Sequence, residues 1–284
     1  EPIRECLNCN KGCVDAIQGR RYISCVLNAE NGDEATISIK PADAKKNVVI
    51  VGAGIAGLEA ARVAALRGHN VTVYEKEDKI GGQIHIAAVP PRKHEILRAV
   101  EYYEKILPSL ENVKVLLNTT ASKEVMNAAD AVIVAVGAHN VSLPIPGADS
   151  ANVVSSWDIL AGKVEAKGHC VVIGGGLVGA ETAEYLANQG CQVSVIEMMD
   201  KIAKEESSTV LPTMMKDFAD HGVAQYINTK VSSIENGGKC VKALNTADNS
   251  EIVIDCDMVV MAAGSVKNVF DVEGVTVPVY FAGD

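Results

Sequence analysis

Residues 47–57 read NVVIVGAGIAG, and this stretch decides the fold because a short apolar run leads directly into the pattern G-x-G-x-x-G. Gly52 permits a tight turn from strand to helix, Gly54 leaves room for the backbone to approach a pyrophosphate, and Gly57 lets the helix pack against the strand. An alanine-rich helix and a second strand over residues 70–74 should follow. The stretch therefore predicts a dinucleotide-binding unit of alternating strands and helices.

The same pattern recurs 122 positions further along the chain. Residues 170–173 predict a strand, residues 174–179 read GGGLVG, and residues 192–196 predict a second strand. Glu75 and Glu197 close the second strands, each 18 positions beyond the last glycine of its pattern. One such pattern is weak evidence, but two copies in register, each answered by an acidic residue, strongly indicate two nucleotide sites.

The residues after the two glutamates predict different ligands. Residues 76–83 read KEDKIGGQ, and the pair Gly81-Gly82 suits backbone contacts to a long ligand that continues toward a flavin ring. The second copy lacks this pair and reads EMMD at 197–200. It offers a carboxylate to ribose hydroxyls and no arginine to a 2′-phosphate, so it favours NAD over NADP.

Two further apolar strands, at 130–137 and 257–264, end in a small residue and a glycine, as expected where backbone passes close to a cofactor. Each closes one unit. The expected domains are a cysteine-rich cluster loop and connector at 1–44, an FAD-binding domain at 45–148 plus 268–284, and an NAD-binding domain at 149–267. The residues expected at the first site are Gly52, Gly54, Ile55, Ala56, Gly57, Glu75, Lys76, Gly81, Gly82, Gln83, Ala135, Val136, Gly137, Gly283 and Asp284. The residues expected at the second site are Gly174, Gly176, Leu177, Val178, Gly179, Glu197 and Gly264.

A run of cysteines precedes the first glycine pattern with the spacing C-x2-C-x3-C-x11-C, formed by Cys6, Cys9, Cys13 and Cys25. Thiolate sulfur suits iron–sulfur clusters or zinc, and three close cysteines with one distant cysteine let a single loop wrap a cubane. Zinc ribbons more often use two separated C-x2-C pairs. Zinc and unligated cysteines stay open as alternatives. The remaining cysteines are expected to be buried as small apolar residues.

Charge and hydropathy narrow the partners of this chain. A net charge of −10 over 284 residues argues against nucleic acid or an anionic membrane surface as the main partner. No apolar stretch approaches the roughly 18 uncharged residues of a membrane span, and the N-terminus does not resemble a signal peptide. We therefore expect a cytoplasmic protein. A start at Glu1 without methionine and an end directly after a strand and a Gly-Asp pair predict a fragment of a longer chain.

The succession of these motifs resembles the C-terminal part of the 2,4-dienoyl-CoA reductase, enoate reductase and trimethylamine dehydrogenase family. The resemblance covers nearly the whole chain. Besides the cysteine run, the motifs that carry it are VGAGIAGLEAA at 51–61, IGGQ at 80–83, AVGA at 135–138, IGGGLVGAETA at 173–183, AAG at 262–264 and AGD at 282–284. It implies an α/β fold with two Rossmann-like domains in a disulfide-reductase-like arrangement.

The resemblance also implies cofactors and a partner. It assigns a four-iron (4Fe-4S) cluster to the cysteine run, FAD to the first unit and NAD(H) to the second. Electrons would pass from NADH through FAD and the cluster to an FMN on a missing N-terminal (β/α)8 barrel of the same polypeptide, which reduces an enoyl-type substrate. A homo-oligomer stays open, and no residue of this chain is expected to act as a general acid or base.

Two other functions stay open on the sequence, and a third is disfavoured. Trimethylamine dehydrogenases look similar but hold ADP in the first unit, so the chain could be a nucleotide module without flavin. Outside enzymes, it could be a nucleotide-binding module with a zinc loop. A small subunit resembling that of glutamate synthase is disfavoured, because those proteins carry more N-terminal cysteines.

Overall fold

The structure is a computed structural model that describes residues 2–283. In this part of the chain the α-helices are α1 (Val14–Gln18), α2 (Ile55–Leu66), α3 (Ile84–Ala87), α4 (Arg98–Ile106), α5 (Lys123–Asn127), α6 (Ser156–Leu160), α7 (Leu177–Asn188) and α8 (Leu211–Asp220). Two short 3₁₀ helices cover His94–Leu97 and Leu107–Ser109.

The strands follow the alternation that the sequence predicts. They are β1 (Asn47–Val51), β2 (Asn70–Tyr74), β3 (Val113–Leu116), β4 (Ala131–Val134), β5 (Ala138–Asn140), β6 (Val153–Ser155), β7 (His169–Ile173), β8 (Gln192–Ile196), β9 (Ala224–Tyr226), β10 (Thr229–Glu235), β11 (Cys240–Asn245), β12 (Glu251–Asp255), β13 (Met258–Met261), β14 (Ser265–Lys267) and β15 (Val279–Phe281).

Two compact units divide the chain. The first takes the residues up to Ala88, Glu95–Ala138 and the residues from Lys267 on, and the second takes Val89–His94 and His139–Val266. Each unit therefore contains one of the two glycine patterns.

The first unit is built on a parallel sheet with the strand order β15-β4-β1-β2-β3. Val48–Val51 of the central strand β1 are buried, as expected for a parallel sheet covered on both faces. Helix α2 packs Leu58, Ala61 and Ala65 into the core, and the small alanines let it lie close to the sheet.

The second unit repeats this sheet with the order β6-β13-β7-β8-β9. Its central pair aligns His169 with Gln192, and β1 and β2 align Asn47 with Asn70, so the pairing shifts by the same 122 positions as the sequence. The predicted α/β class with two dinucleotide-binding folds is confirmed.

An antiparallel sheet of β10, β11 and β12 is inserted in the second unit before β13, and the sequence analysis missed it. Asn236-Gly237 lies between the first two of these strands, with positive φ angles of 52° and 69°. Asn-Gly between two apolar runs is a strong hairpin signal and could have revealed the insertion. The short strands β5 and β14 pair in a further two-stranded sheet.

No helix within residues 2–283 combines the length and the apolar character needed to cross a membrane. The segment before β1 contains one short helix, α1, and is otherwise irregular.

Candidate functional site

The first glycine turn leaves open space at one position only. Gly52 has a φ of +100°, and a Cβ atom there would overlap the Ala135 carbonyl oxygen. A Cβ atom on Gly57 would overlap the Gly52 carbonyl oxygen, whereas one on Gly54 would meet nothing within 4 Å. Gly52 and Gly57 are therefore required by the fold, and Gly54 leaves room for a ligand.

Glu75 ties this turn to the end of β2. Its buried carboxylate accepts hydrogen bonds from the Ala53 N–H at 2.7 Å and from the Glu77 N–H at 3.0 Å. Each carboxylate oxygen keeps a further lone pair that a ribose hydroxyl can use. The neighbouring Lys76 is exposed and pairs with Glu77 at 3.6 Å, so its side chain does not join the glycine turn.

The Gly81-Gly82 turn lies directly against the first glycine turn. The Gly81 N–H donates to the Ala53 carbonyl at 2.8 Å, and a Cβ atom on Gly82 would stand 3.2 Å from the Gly54 Cα. His85 Nε2–H donates to the Ile80 carbonyl at 2.7 Å and supports the turn from outside. The sequence analysis gave no role to this histidine.

Two other predicted segments reach the same edge of the first sheet. Gly137 has a φ of +66° and accepts a hydrogen bond from the Asn268 N–H at 2.8 Å, while the Asn268 amide donates to the Val136 carbonyl at 2.8 Å. A Cβ atom on Gly137 would stand 2.8 Å from Gln83 Nε2. Gly283 approaches Ala56, with 3.0 Å between its Cβ position and the Ala56 Cβ. Asp284 lies outside the described residues.

The second glycine turn repeats the first almost atom for atom. Gly174 has a φ of +102°, and a Cβ atom on Gly179 would overlap the Gly174 carbonyl oxygen. Gly176, like Gly54, faces open space. The buried carboxylate of Glu197 accepts from the Gly175 N–H at 2.6 Å and from the Met199 N–H at 2.7 Å.

The repeat extends further than the sequence analysis recognised. The Ala203 N–H donates to the Gly175 carbonyl at 2.7 Å and Ala203 has a φ of +49°, so it takes the place that Gly81 has in the first unit. Both residues lie six positions after the strand-end glutamate and follow Asp-Lys-Ile, which was the available signal. Lys204 then stands where the first unit has Gly82, so the two turns offer different paths to a ligand.

The two sites combine open backbone with helix N-termini. Leu177 and Val178 begin α7, as Ile55 and Ala56 begin α2, and both helices are 12 residues long. The free N–H groups and the positive end of the helix dipole suit a pyrophosphate. Gly264 lies three residues after the end of β13, with a φ of +102° and nothing within 4 Å of its Cβ position.

A charged network on α7 was missed by the sequence analysis. Lys93 Nζ donates to the Glu181 carboxylate at 2.6 Å, and Arg92 pairs with both Glu184 and Asp217. Burial raises the pKa of Glu184 to about 7, since it outweighs the opposing effect of Arg92. These pairs join residues 88 to 125 positions apart, so no local sequence pattern predicts them.

The four cysteines of the N-terminal run are free thiols on one loop. The Ser24 N–H donates to the Gly12 carbonyl at 2.7 Å, which places the neighbours of Cys13 and Cys25 side by side. Asn8 and Asn10 have positive φ angles and bend the loop on either side of Cys9. Cys6 and Cys25 both line a cavity of about 570 Å³.

The chemistry of this donor set, four thiols, suits a thiolate metal centre. Within residues 2–283, however, no three Cys, His, Asp or Glu side chains converge as ligands of one metal ion. The remaining cysteines are buried as expected, and burial raises the pKa of Cys170 to about 12 and of Cys256 to about 11. The cysteines of the N-terminal run, in contrast, are exposed or half-buried and so are accessible to a metal.

Comparison with known proteins gives consistent results. Residues 46–280 match the family described as pyridine nucleotide-disulphide oxidoreductase. Bilirubin reductase of Mediterraneibacter gnavus is 50% identical over 99% of this chain and 44% of its own length, and NADH oxidase of Thermoanaerobacter brockii is 41% identical over 82% and 37%. The solved structure of a 2-naphthoyl-CoA reductase complex superposes with a TM-score of 0.87 at 31% identity, over 97% of this chain and 42% of that one.

These similarities confirm the resemblance to dienoyl-CoA and enoate reductases that the sequence motifs indicate. The chain spans less than half the length of these relatives.

Proposed function

Because this chain belongs to the pyridine nucleotide-disulphide oxidoreductase family, we propose that it is the electron-input part of a larger flavoenzyme reductase, with FAD on the first unit and NADH on the second. The observation that carries the proposal is the matched pair of glycine turns. Each turn has one glycine that faces open space and one buried glutamate that holds the turn.

The residues of each turn have distinct tasks in this proposal. The N–H groups at the start of α2 and α7 bind the pyrophosphates, and Gly54 and Gly176 let them approach. Glu75 and Glu197 bind ribose hydroxyls. When bound, reduced nicotinamide supplies a hydride and flavin accepts it, so the chain contributes position and electrostatics rather than an acid or base.

The first site suits the longer ligand. Gly81, Gly82 and Gln83 lie between the glycine turn and Gly137: the Gly81 N–H donates to the Ala53 carbonyl, Gly82 lies close to Gly54, and the Gln83 side chain lies close to Gly137. The second unit has Ala203 and Lys204 at the corresponding positions and therefore lacks the glycine pair. We therefore assign FAD to the first unit and the nicotinamide cofactor to the second.

The cysteine run completes the electron path. We propose that Cys6, Cys9, Cys13 and Cys25 hold a four-iron cluster, which would supply single-electron transfer. The Gly12–Ser24 hydrogen bond and the shared cavity of Cys6 and Cys25 support this donor set.

The substrate reaction is proposed for the remainder of the polypeptide. The chain covers 44% of a bilirubin reductase and 42% of a 2-naphthoyl-CoA reductase. We propose that a barrel domain with FMN accepts the electrons and reduces an enoyl-type substrate, and that NADH oxidation starts in the cytoplasm on this chain.

The experiment is a reconstitution of the full chain with FAD, followed by NADH oxidation with ferricyanide as acceptor. We expect activity that depends on added FAD and that ADP inhibits by competition at the first unit. A chain that binds ADP but no FAD would instead support the flavin-free alternative. Zinc without iron after anaerobic purification would support a zinc loop.

A further inference from the structure

Arg4 connects the two ends of the cysteine run. It lies two residues before Cys6, and its Nη1 donates to the carbonyl of Leu27 at 2.9 Å. Leu27 lies two residues after Cys25. One side chain therefore holds together the entry and the exit of a segment whose first and last thiols are 19 positions apart in sequence.

The guanidinium of Arg4 is itself anchored on the first unit. It lies 5.1 Å from the centroid of the buried Tyr102 ring, and its Nη2 is 3.9 Å from Glu59 Oε1 on α2. A cation over an aromatic face is attracted to it, and more strongly where water is excluded. The Arg4 side chain is only 19% exposed, so the contact is largely shielded.

Three hydrogen bonds hold the Glu59 carboxylate in place beside Arg4. Arg62 donates to both of its oxygens at 2.7 and 2.8 Å, and the Tyr103 hydroxyl donates at 3.0 Å. Burial raises the pKa of Glu59, but the hydrogen bonds and the nearby arginine charges outweigh it and hold the pKa below its usual value. Two guanidinium groups face one carboxylate, so the group of Arg4, Glu59 and Arg62 is positive overall.

The positive group of Arg4, Glu59 and Arg62 lies beside two of the thiols. Arg4 and Arg62 line the same cavity of about 570 Å³ as Cys6 and Cys25, and so do the carboxylates of Glu5 and Glu30. A neighbouring positive charge favours the more negative redox state of a metal centre. Arg98 also contacts this region through the Cys6 carbonyl at 2.7 Å, but Glu5 and Glu95 surround its charge.

We propose that Arg4 is the positioning residue of the cysteine centre: it brings Cys6 and Cys25 to one cavity and its charge favours the reduced state. This inference rests on the proposed metal centre. Arg4 has two separable effects in this proposal. Its hydrogen bond to Leu27 fixes the path of the loop, and its charge raises the midpoint potential of the metal centre.

The test uses three variants of the full chain after anaerobic loading with Fe²⁺ and sulfide. Arg4→Met removes the charge and the hydrogen bond, and Arg4→Lys keeps the charge but lacks the fork that reaches both Leu27 and Glu59. Arg21→Met is the matched control, because Arg21 is exposed on the same segment and its loss changes the net charge equally. Bound iron, the rate of iron loss to EDTA and the midpoint potential in a dithionite titration are measured.

We expect Arg4→Met to lose iron about tenfold faster, near the lower end of the effects seen for residues that hold metal ligands in place. Its midpoint potential should fall. Arg4→Lys should lose iron faster than the parent while its potential stays close to the parent value, and Arg21→Met should match the parent in both. Unchanged FAD binding in all three variants shows that the first unit is folded.

Two results would overturn the inference in different ways. If the parent loads iron and Arg4→Met retains it equally long at the same potential, Arg4 has no such role while the cysteine centre stands. If the parent and the control take up no iron, or a Cys9→Ser variant loads as much iron as the parent, the proposed centre fails and the inference fails with it.

Discussion

Two glycines of the second turn should respond to alanine in opposite ways. Gly176 precedes α7 with φ −64° and ψ −173°, an extended conformation that alanine adopts freely, and its Cβ position is open. A Cβ atom on Gly179 would overlap the Gly174 carbonyl oxygen and lie 3.3 Å from the Ala262 Cβ. Gly179→Ala should therefore damage the fold, and Gly176→Ala should damage only the ligand site.

The expected magnitudes differ accordingly. Overpacking at Gly179 should cost about 1–3 kcal/mol, which lowers Tm by roughly 4 °C per kcal/mol for a unit of this size. Gly176→Ala should keep or slightly raise the stability, since alanine restricts the unfolded chain. Its methyl group would stand where the pyrophosphate approaches, and losing one hydrogen bond to a charged group costs about 1.5–3 kcal/mol. Such a loss of binding free energy raises the Kd for NADH about tenfold or more.

The assay combines thermal unfolding with NADH binding for each variant. Gly54→Ala in the first unit is the matched control, because its Cβ position is equally open. It should weaken FAD and leave NADH binding unchanged. The reasoning is refuted if Gly176→Ala binds NADH as tightly as the parent, or if Gly179→Ala unfolds at the parent temperature.

Three further predictions follow from the same sites. Glu197 should make kcat/KM higher for NADH than for NADPH, because its carboxylate repels a 2′-phosphate; equal values, or a change of less than a few-fold in Glu197→Ala, would contradict this. The pKa of Glu184 is about 7 in the folded state, against an ordinary value of 4.5, so between these pH values the folded state binds a proton that the unfolded chain does not. The free energy of unfolding should therefore fall as pH rises through this window, and Glu184→Gln should flatten the slope; the same slope in both proteins would disprove the assignment. Cys13→Ser should bind less iron and sulfide than the parent after anaerobic reconstitution, and equal loading would remove Cys13 from the ligands.

The parallel strands could be predicted because local signals agree with the fold. The sequence analysis placed strands at 70–74 and 192–196, and β2 and β8 occupy the same residues. Apolar runs, glycine spacing and strand-end glutamates lie within about 30 residues of each other in each copy. The same register in both units explains why a repeat of 122 positions could be recognised from the sequence.

The rest depends on contacts that no local pattern contains. Ala203 has a positive φ and donates to the Gly175 carbonyl, but the position carries alanine, so the glycine that marks the equivalent turn in the first unit is missing from the sequence. Lys93 and Glu181 meet across 88 positions of sequence. Arg4 gains its partners Glu59 and Tyr102 only when the cysteine segment packs against α2 and α4.

The central claim is that this chain passes electrons from NADH to a flavin bound on its first unit. The most direct measurement is an anaerobic titration of the FAD-loaded chain with NADH, followed through the visible absorbance of oxidised flavin. We predict that this absorbance is lost as NADH is added in proportion to bound FAD, and that Gly176→Ala needs much more NADH for the same loss. Flavin that stays oxidised in the presence of excess bound NADH would contradict the account.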